Sequence, residues 1–140
     1  MAIHFDTLAQ QALDLMHETS DSLFLTGKAG TGKSTLIQYF LETTTRNVLV
    51  LAPTGVAAVN VGGVTIHSFF GMHPGITLDE ARDGEYHLHR KNRDILEHVD
   101  TIVIDEISMV RADVLEVVNE ILQQFYVTRE PFGGKQLLLV

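Results

Sequence analysis

The sequence predicts an α/β domain built on a parallel β-sheet, and three features carry that prediction. A strand, Leu23-Phe24-Leu25-Thr26, runs into a glycine-rich turn and then a helical pattern. A second aliphatic run, Val48-Leu49-Val50-Leu51, follows that helix, so strand, helix and strand come in the order of a parallel crossover. A third run, Thr101-Ile102-Val103-Ile104, ends in the paired acids Asp105 and Glu106. Continuous aliphatic runs of this kind belong to strands covered on both faces.

The remaining elements follow in order. Leu8, Ala12, Leu15 and Met16 sit at helical spacing and predict a first helix with an apolar face, N-capped by Asp6 or Thr7. Ser34 to Glu42 predicts the helix after the turn, with Leu36, Ile37, Phe40 and Leu41 facing inward. Pro53-Thr54-Gly55 turns the chain into a short helix over Val56 to Val59, which Asn60 and Gly62-Gly63 end, and Thr65 to Phe70 predicts another.

Residues 71 to 93 change character, with few aliphatics and mixed charges. A short helix or small insert is expected there, in the most mobile part of the chain. His73, His87 and His89 lack a carboxylate or thiolate framework at metal spacing and read as solvated histidines. Asp94 to His98 predicts about one helical turn. Ser108 is the expected cap of a helix whose apolar face is Val114, Val118, Ile121 and Phe125, supported by Leu115 and Leu122. After the turn Glu130 to Gly134, Gln136 to Val140 predicts a further core strand. The chain stops while that strand is still running, so residues 1–140 are expected to be the N-terminal piece of a larger protein.

Composition bounds the possibilities. The 140 residues, 45% hydrophobic, suffice for one domain with a sizeable core. No run of 18 apolar residues and no signal-like segment occurs, which sets a soluble, cytoplasmic protein without a membrane partner as the expectation. Zero cysteines exclude disulfides, thiolate metal sites and cysteine nucleophiles. A net charge of −8 argues against coating by nucleic acid through bulk electrostatics and leaves room only for a local groove.

The chemistry begins in the turn. Gly27-x4-Gly32-Lys33-Ser34 has the spacing of the phosphate-binding P-loop, in which consecutive backbone N–H groups of Gly27, Ala29, Gly30, Thr31, Gly32 and Thr35 surround phosphate oxygens at a helix N-terminus. Lys33 is placed to reach the β- and γ-phosphates, and the Ser34 hydroxyl to ligate Mg²⁺. An aliphatic strand ending in two acids supplies what such a site needs opposite the loop: Asp105 for the metal and Glu106 to orient and deprotonate the attacking water. The catalytic set is therefore Lys33, Asp105 and Glu106, the metal ligands Ser34 and Asp105, and the cofactors ATP and Mg²⁺. Asn-Lys-x-Asp, the guanine-reading motif, is absent. A hydrolytic acid beside the metal aspartate favours ATP hydrolysis coupled to motion over phosphoryl transfer to a metabolite. The alternatives are a P-loop small-molecule kinase and a nucleotide-gated adaptor that does not hydrolyse.

Five ordered segments make the reading more specific: Gly27 to Ser34, Pro53-Thr54-Gly55-Val56-Ala57-Ala58, Gly62 to Phe69, Ile104-Asp105-Glu106-Ile107-Ser108-Met109 and Pro131 to Leu137. Together they cover most of the chain, which resembles the N-terminal part of a superfamily-one DNA helicase of 5′-to-3′ polarity, in the petite-integration-frequency and RecD-like family. The resemblance implies a partial first RecA-like ATPase domain over 1–140, with its four strands in the spatial order first, fourth, third, second. It implies that Gln10, or Gln11 if the register shifts by one, reads adenine. It further implies that Pro53, Thr54, Gly55, Thr65 and His67 lie along a single-stranded DNA path, His67 being equally readable as a packed histidine.

The implied parent is a monomeric motor acting in DNA repair or recombination, nucleoid-associated in a bacterium and nuclear or mitochondrial in a eukaryote. Its γ-phosphate sensor, arginine finger and second RecA-like domain would lie beyond Val140. The fragment alone is therefore expected to bind nucleotide weakly, to be inactive, and to associate through its exposed sheet edge. Arg111 departs from the family, whose members commonly carry an acid there.

Overall fold

A computed structural model of the chain describes residues 6–26 and 32–140. Five parallel strands form one sheet: β1 (Leu23–Phe24), β2 (Val48–Ala52), β3 (Val64–Thr65), β4 (Thr101–Ile104) and β5 (Gln136–Leu139), in the spatial order β1-β5-β4-β2-β3. The four strands foreseen from the sequence take the implied order. β3 was not foreseen and adds a fifth at the outer edge of β2, with Leu51 level with Val64 and Ala52 with Thr65. Gly63 makes this pairing feasible, because a Cβ there would run into the Val50 carbonyl.

Successive strand residues alternate between the two faces and build a core on each. On one face α1 (Thr7–Glu18) and α2 (Lys33–Thr43) pack Leu13, Met16, Leu36, Ile37 and Phe40 against Val103 and Leu138. On the other, Leu49, Leu51, Ile102, Ile104 and Leu137 meet α4 (Ile66–Phe70), α5 (Leu78–Arg82), α6 (Arg90–His98) and α7 (Ala112–Tyr126). A small third cluster gathers Ala52 with Ala57 and Ala58 of α3 (Gly55–Val61). Thr101 to Ile104 are buried throughout, as a strand covered on both sides requires. No described helix is long and apolar enough to cross a membrane.

Several elements differ from their sequence reading, each for a local reason. In α1 the residues buried are Leu13 and Met16; Leu8 is 76% exposed and Leu15 is also open, because α2 docks on the neighbouring face of the helix. Asp6 is the N-cap, its carboxylate accepting from the Ala9 N–H at 2.7 Å. Ser108 does not cap α7. Ile107–Met109 forms a 3-10 turn, and α7 starts from Arg111 without a side-chain cap.

The polar stretch 71–93 is tied into the core by Met72, Ile76, Ala81 and Leu88, all buried, around α5. Thr77 and Glu80 close that helix with a capping box. The next helix, α6, starts four residues earlier than the expected Asp94, since Asn92 anchors it by donating from its amide to the Phe69 carbonyl at 2.9 Å.

The link from α7 to β5 carries the Pro131-Phe132-Gly133-Gly134 segment as a 3-10 turn. Phe132 lies in the left-handed region (φ 52°), with its N–H bonded to the Asn119 side chain at 2.7 Å, and a Cβ at Gly133 would strike the Tyr126 ring. The segment thereby locks the strand that separates β1 from β4.

Candidate functional site at the carboxyl edge of the sheet

Because all five strands are parallel, their carboxyl ends share one edge, and the register makes that edge level. Phe24, Leu139, Ile104, Leu51 and Val64 form one row across the sheet. The next row is bonded as well: the Leu25 N–H donates to Leu139, Val140 to Ile104, and Asp105 to Leu51, at 2.7, 3.0 and 2.9 Å. Asp105 thus stands two strands, about 10 Å at the usual strand spacing, from the residue that leads into the glycine-rich turn.

Gly27, Lys28, Ala29, Gly30 and Thr31 lie outside the described residues. Description resumes at Gly32, which occupies the N-cap position of α2 with φ 89°, a conformation only glycine adopts without strain. Gly32 has no side chain to cap the helix, and among the described residues the amides of Lys33, Ser34 and Thr35 have neither a cap nor an intrahelical acceptor. This first turn carries partial positive charge aimed at the edge where Asp105 sits. Lys33 is half-buried; Ser34 and Thr35 are exposed.

The acids differ from one another. Asp105 is half-buried and Glu106 exposed, and among the described residues neither carboxylate has an ion-pair or hydrogen-bond partner. Glu106 adopts φ 54°, ψ 45°, a left-handed conformation that costs a residue with a Cβ roughly 1–2 kcal/mol. The next residue holds it there, Ile107 donating its N–H to the Val140 carbonyl at 2.8 Å.

A cavity of about 450 Å³ opens between α1, β1 and the start of α2, within the size range of small-ligand sites. Its wall is largely apolar: Leu8, Ala12 and Leu15 from α1, with Leu23, Phe24, Leu25 and Leu36. Polar groups enter from Asp6, Gln11, Thr26 and Lys33. Gln10 is not part of this wall; it is exposed, and its amide donates to the Asp14 carboxylate at 2.9 Å. The apolar face expected of α1 is thus partly a cavity wall, and periodicity alone does not say whether such a face meets protein or a cavity.

Further along the edge, Thr54 and Thr65 cap α3 and α4, each hydroxyl oxygen accepting from the N–H three residues on at 3.2 Å. Register puts Thr65 beside Ala52, so the two capped helices leave neighbouring strands. Both hydroxyls still have a proton to donate. Pro53 is half-buried and Gly55 exposed between them, and His67 is half-buried within α4.

The opposite end of the same strands holds a network that the sequence did not signal. Gln136, 1% exposed, accepts from the Thr101 hydroxyl at 2.6 Å and from Arg46 at 2.7 Å, and donates to the carbonyls of Thr19 and Asp21. Its partners lie up to 120 residues away.

The comparisons agree with this architecture. The model of the PIF1-like helicase family matches residues 5–140. The ATP-dependent DNA helicase PIF1 of Saccharomyces cerevisiae is 38% identical over 137 residues, covering 92% of this chain and 16% of that protein. The ATP-dependent DNA helicase Pif1 of Bdellovibrio bacteriovorus is 38% identical over 133 residues, covering 92% and 29%. Bacteroides Pif1 bound to single-stranded DNA superposes with a TM-score of 0.83 at 37% identity, over 99% of this chain and 32% of that one. Pif1 from Bacteroides sp in complex with ADP-AlF4 gives 0.83 at 36%, with the same coverage. The chain therefore spans about a third or less of the length of these relatives. By its matched length, its sheet order and these identities, the chain belongs to the PIF1-like helicase family.

Proposed function

We propose that this chain is most of the first RecA-like half of an ATP-dependent DNA helicase that moves 5′ to 3′ along a single strand. The observation that carries the reading is the level carboxyl edge, which sets Leu25, just before the glycine-rich turn, two strands from Asp105, with Gly32 and Lys33 sharing a cavity with the end of β1. The relatives' names and their complexes with ADP-AlF4 and single-stranded DNA support it.

In this reading the amides at the start of α2, with Gly27 to Thr31, cradle the phosphates, and Lys33 compensates the charge that grows on the β–γ bridge and γ-phosphoryl group. The apolar wall from Leu8 to Leu15 takes the base. The cavity lining supports Gln11 over Gln10 as the amide that reads its edge. A hydroxyl and a carboxylate, Ser34 and Asp105, are hard oxygen donors of the kind Mg²⁺ takes alongside phosphate oxygens. Bound there, Mg²⁺ would supply positive charge to the phosphates. Glu106 needs an unpaired carboxylate to accept a proton from the attacking water, and its left-handed backbone fixes where that carboxylate starts.

The hydroxyls of Thr54 and Thr65, the Gly55 amide, Pro53 and His67 form the DNA-facing part of the edge. Contacts of this kind hold phosphates without reading bases, as translocation requires. An isolated chain of these residues hydrolyses ATP negligibly, because donors from the rest of the motor are worth about 10³–10⁵ in rate. It also associates through β1, whose outer side is a sheet edge with Phe24 62% exposed.

The test uses the full-length protein. Its ATPase should rise with single-stranded DNA, it should unwind duplexes bearing a 5′ tail, and Lys33→Ala or Glu106→Gln should abolish both activities. ATPase indifferent to single-stranded DNA would contradict the proposal.

A further inference from the structure

We infer that Arg46 is a positioning residue for nucleotide recognition, setting the angle of α1 and hence the affinity for the base-bearing end of the ligand. The inference rests on the reading of the α1–β1 cavity as the nucleotide site. Arg46 follows α2 at the end of the sheet opposite the carboxyl edge, and its half-buried guanidinium is spent on neutral acceptors. Nη1 donates to the carbonyls of Met16 at 2.9 Å and Thr19 at 2.6 Å, and to Gln136 Oε1 at 2.7 Å; Nη2 donates to the His17 carbonyl at 3.0 Å. The group therefore collects the carbonyls at the C-terminal end of α1, where a cation is favoured by the helix dipole, and joins them to β5 through Gln136.

The two halves of α1 are anchored unequally. Leu13 and Met16, its buried residues, lie in the C-terminal half, as does His17, which stacks tilted on Phe40 at 5.0 Å and bonds to Thr43 at 3.1 Å. The N-terminal half brings Asp6, Leu8 and Gln11 to the cavity and buries none of them. Among the described residues that half is held to the core through the small, partly buried side chains of Ala9 and Ala12, so the position of Gln11 depends largely on how the far end is pinned. A 12-residue helix is about 18 Å long, and a tilt of a few degrees at Arg46 moves the cavity end by about an ångström. A shift of that size is enough to spoil a side-chain hydrogen bond. The phosphate end of the site is carried by α2 and is spared.

The prediction is a split between base and phosphate recognition. In the full-length protein, Arg46→Met should weaken ATP binding by about tenfold while leaving inorganic tripolyphosphate within about twofold, and should raise KM for ATP with kcat at saturation nearly unchanged. Arg46→Lys keeps the charge but cannot span four acceptors with one planar group, and should fall between. It also serves if Arg46→Met fails to fold. Hydrogen exchange should quicken across the α1 amides and not in α2. Equal losses for ATP and tripolyphosphate, or no loss in either variant, would overturn the inference. A wild-type protein that binds neither ligand would instead overturn the nucleotide reading beneath it.

Discussion

The two ends of strands β4 and β5 make opposite use of polar residues. At their amino ends Thr101 and Gln136 are buried and bonded to each other and to α1, with Arg46 closing the network. At their carboxyl ends Asp105 and Glu106 have no protein partner among the described residues, and Glu106 is held in a strained backbone conformation. Polar groups satisfied by protein hold the sheet and α1 together, whereas polar groups without a described protein partner at an open edge are available to a ligand. Substitutions at the two ends should therefore separate stability from activity.

The largest effect belongs at the carboxyl edge. Glu106→Gln should lower the ATPase rate of the full-length protein by about 10²–10⁴, the range for a positioned proton acceptor, and leave unfolding unchanged. Glu106→Gly sharpens the contrast: it should lose the same activity while gaining about 1 kcal/mol, since the left-handed strain disappears. At the amino end Gln136→Leu should cost about 3 kcal/mol in urea unfolding, because it strands the Thr101 hydroxyl and takes an acceptor from Arg46. A Gln136→Leu protein as stable as the parent would break the comparison.

Val127 gives a smaller, purely conformational control. It ends α7 with φ 52° and is 90% exposed, so Val127→Gly should gain about 1 kcal/mol in thermal unfolding without touching activity.

The smallest effect is a pH dependence at α5. His73 bonds to the Pro74 carbonyl at 3.0 Å and to Glu80 at 3.1 Å, and these contacts, the carbonyl first, hold its pKa above the usual 6.5. Its contribution is present in full below 6.5 and fades as pH rises through the raised value. Glu80, lowered chiefly by the Thr77 backbone N–H, stays ionised through that window. An NMR titration of His73 should show a midpoint above 6.5 that falls in Glu80→Gln.

What could be read beforehand follows the physics of each element. Strands β2, β4 and β5 announce themselves because a strand covered on both faces is largely aliphatic, β1 through the glycine-rich turn that follows it, and the candidate site residues because phosphate chemistry calls for glycines, a lysine and paired acids at set spacing. The spatial order of the strands came from resemblance rather than from the runs themselves.

Leu8 and Leu15 line a cavity, which an apolar stripe does not reveal, since it looks alike whether it faces protein or a cavity. β3 escaped notice because two residues show no period. The buried residues between 71 and 93, Met72, Ile76, Ala81 and Leu88, follow neither helical nor strand spacing. Arg46 and Gln136 gave no signal since their partners are mostly backbone carbonyls far along the chain.

The account turns on one pocket shared by the start of α2 and the acids after β4. A crystal structure of the full-length protein with Mn²⁺ in place of Mg²⁺ and a non-hydrolysable ATP analogue tests it most directly. The anomalous signal should lie at the Ser34 hydroxyl, with Asp105 reaching it directly or through one water and Lys33 on the phosphates. A triphosphate bound away from the first turn of α2, or a metal that Asp105 does not approach, would contradict the account.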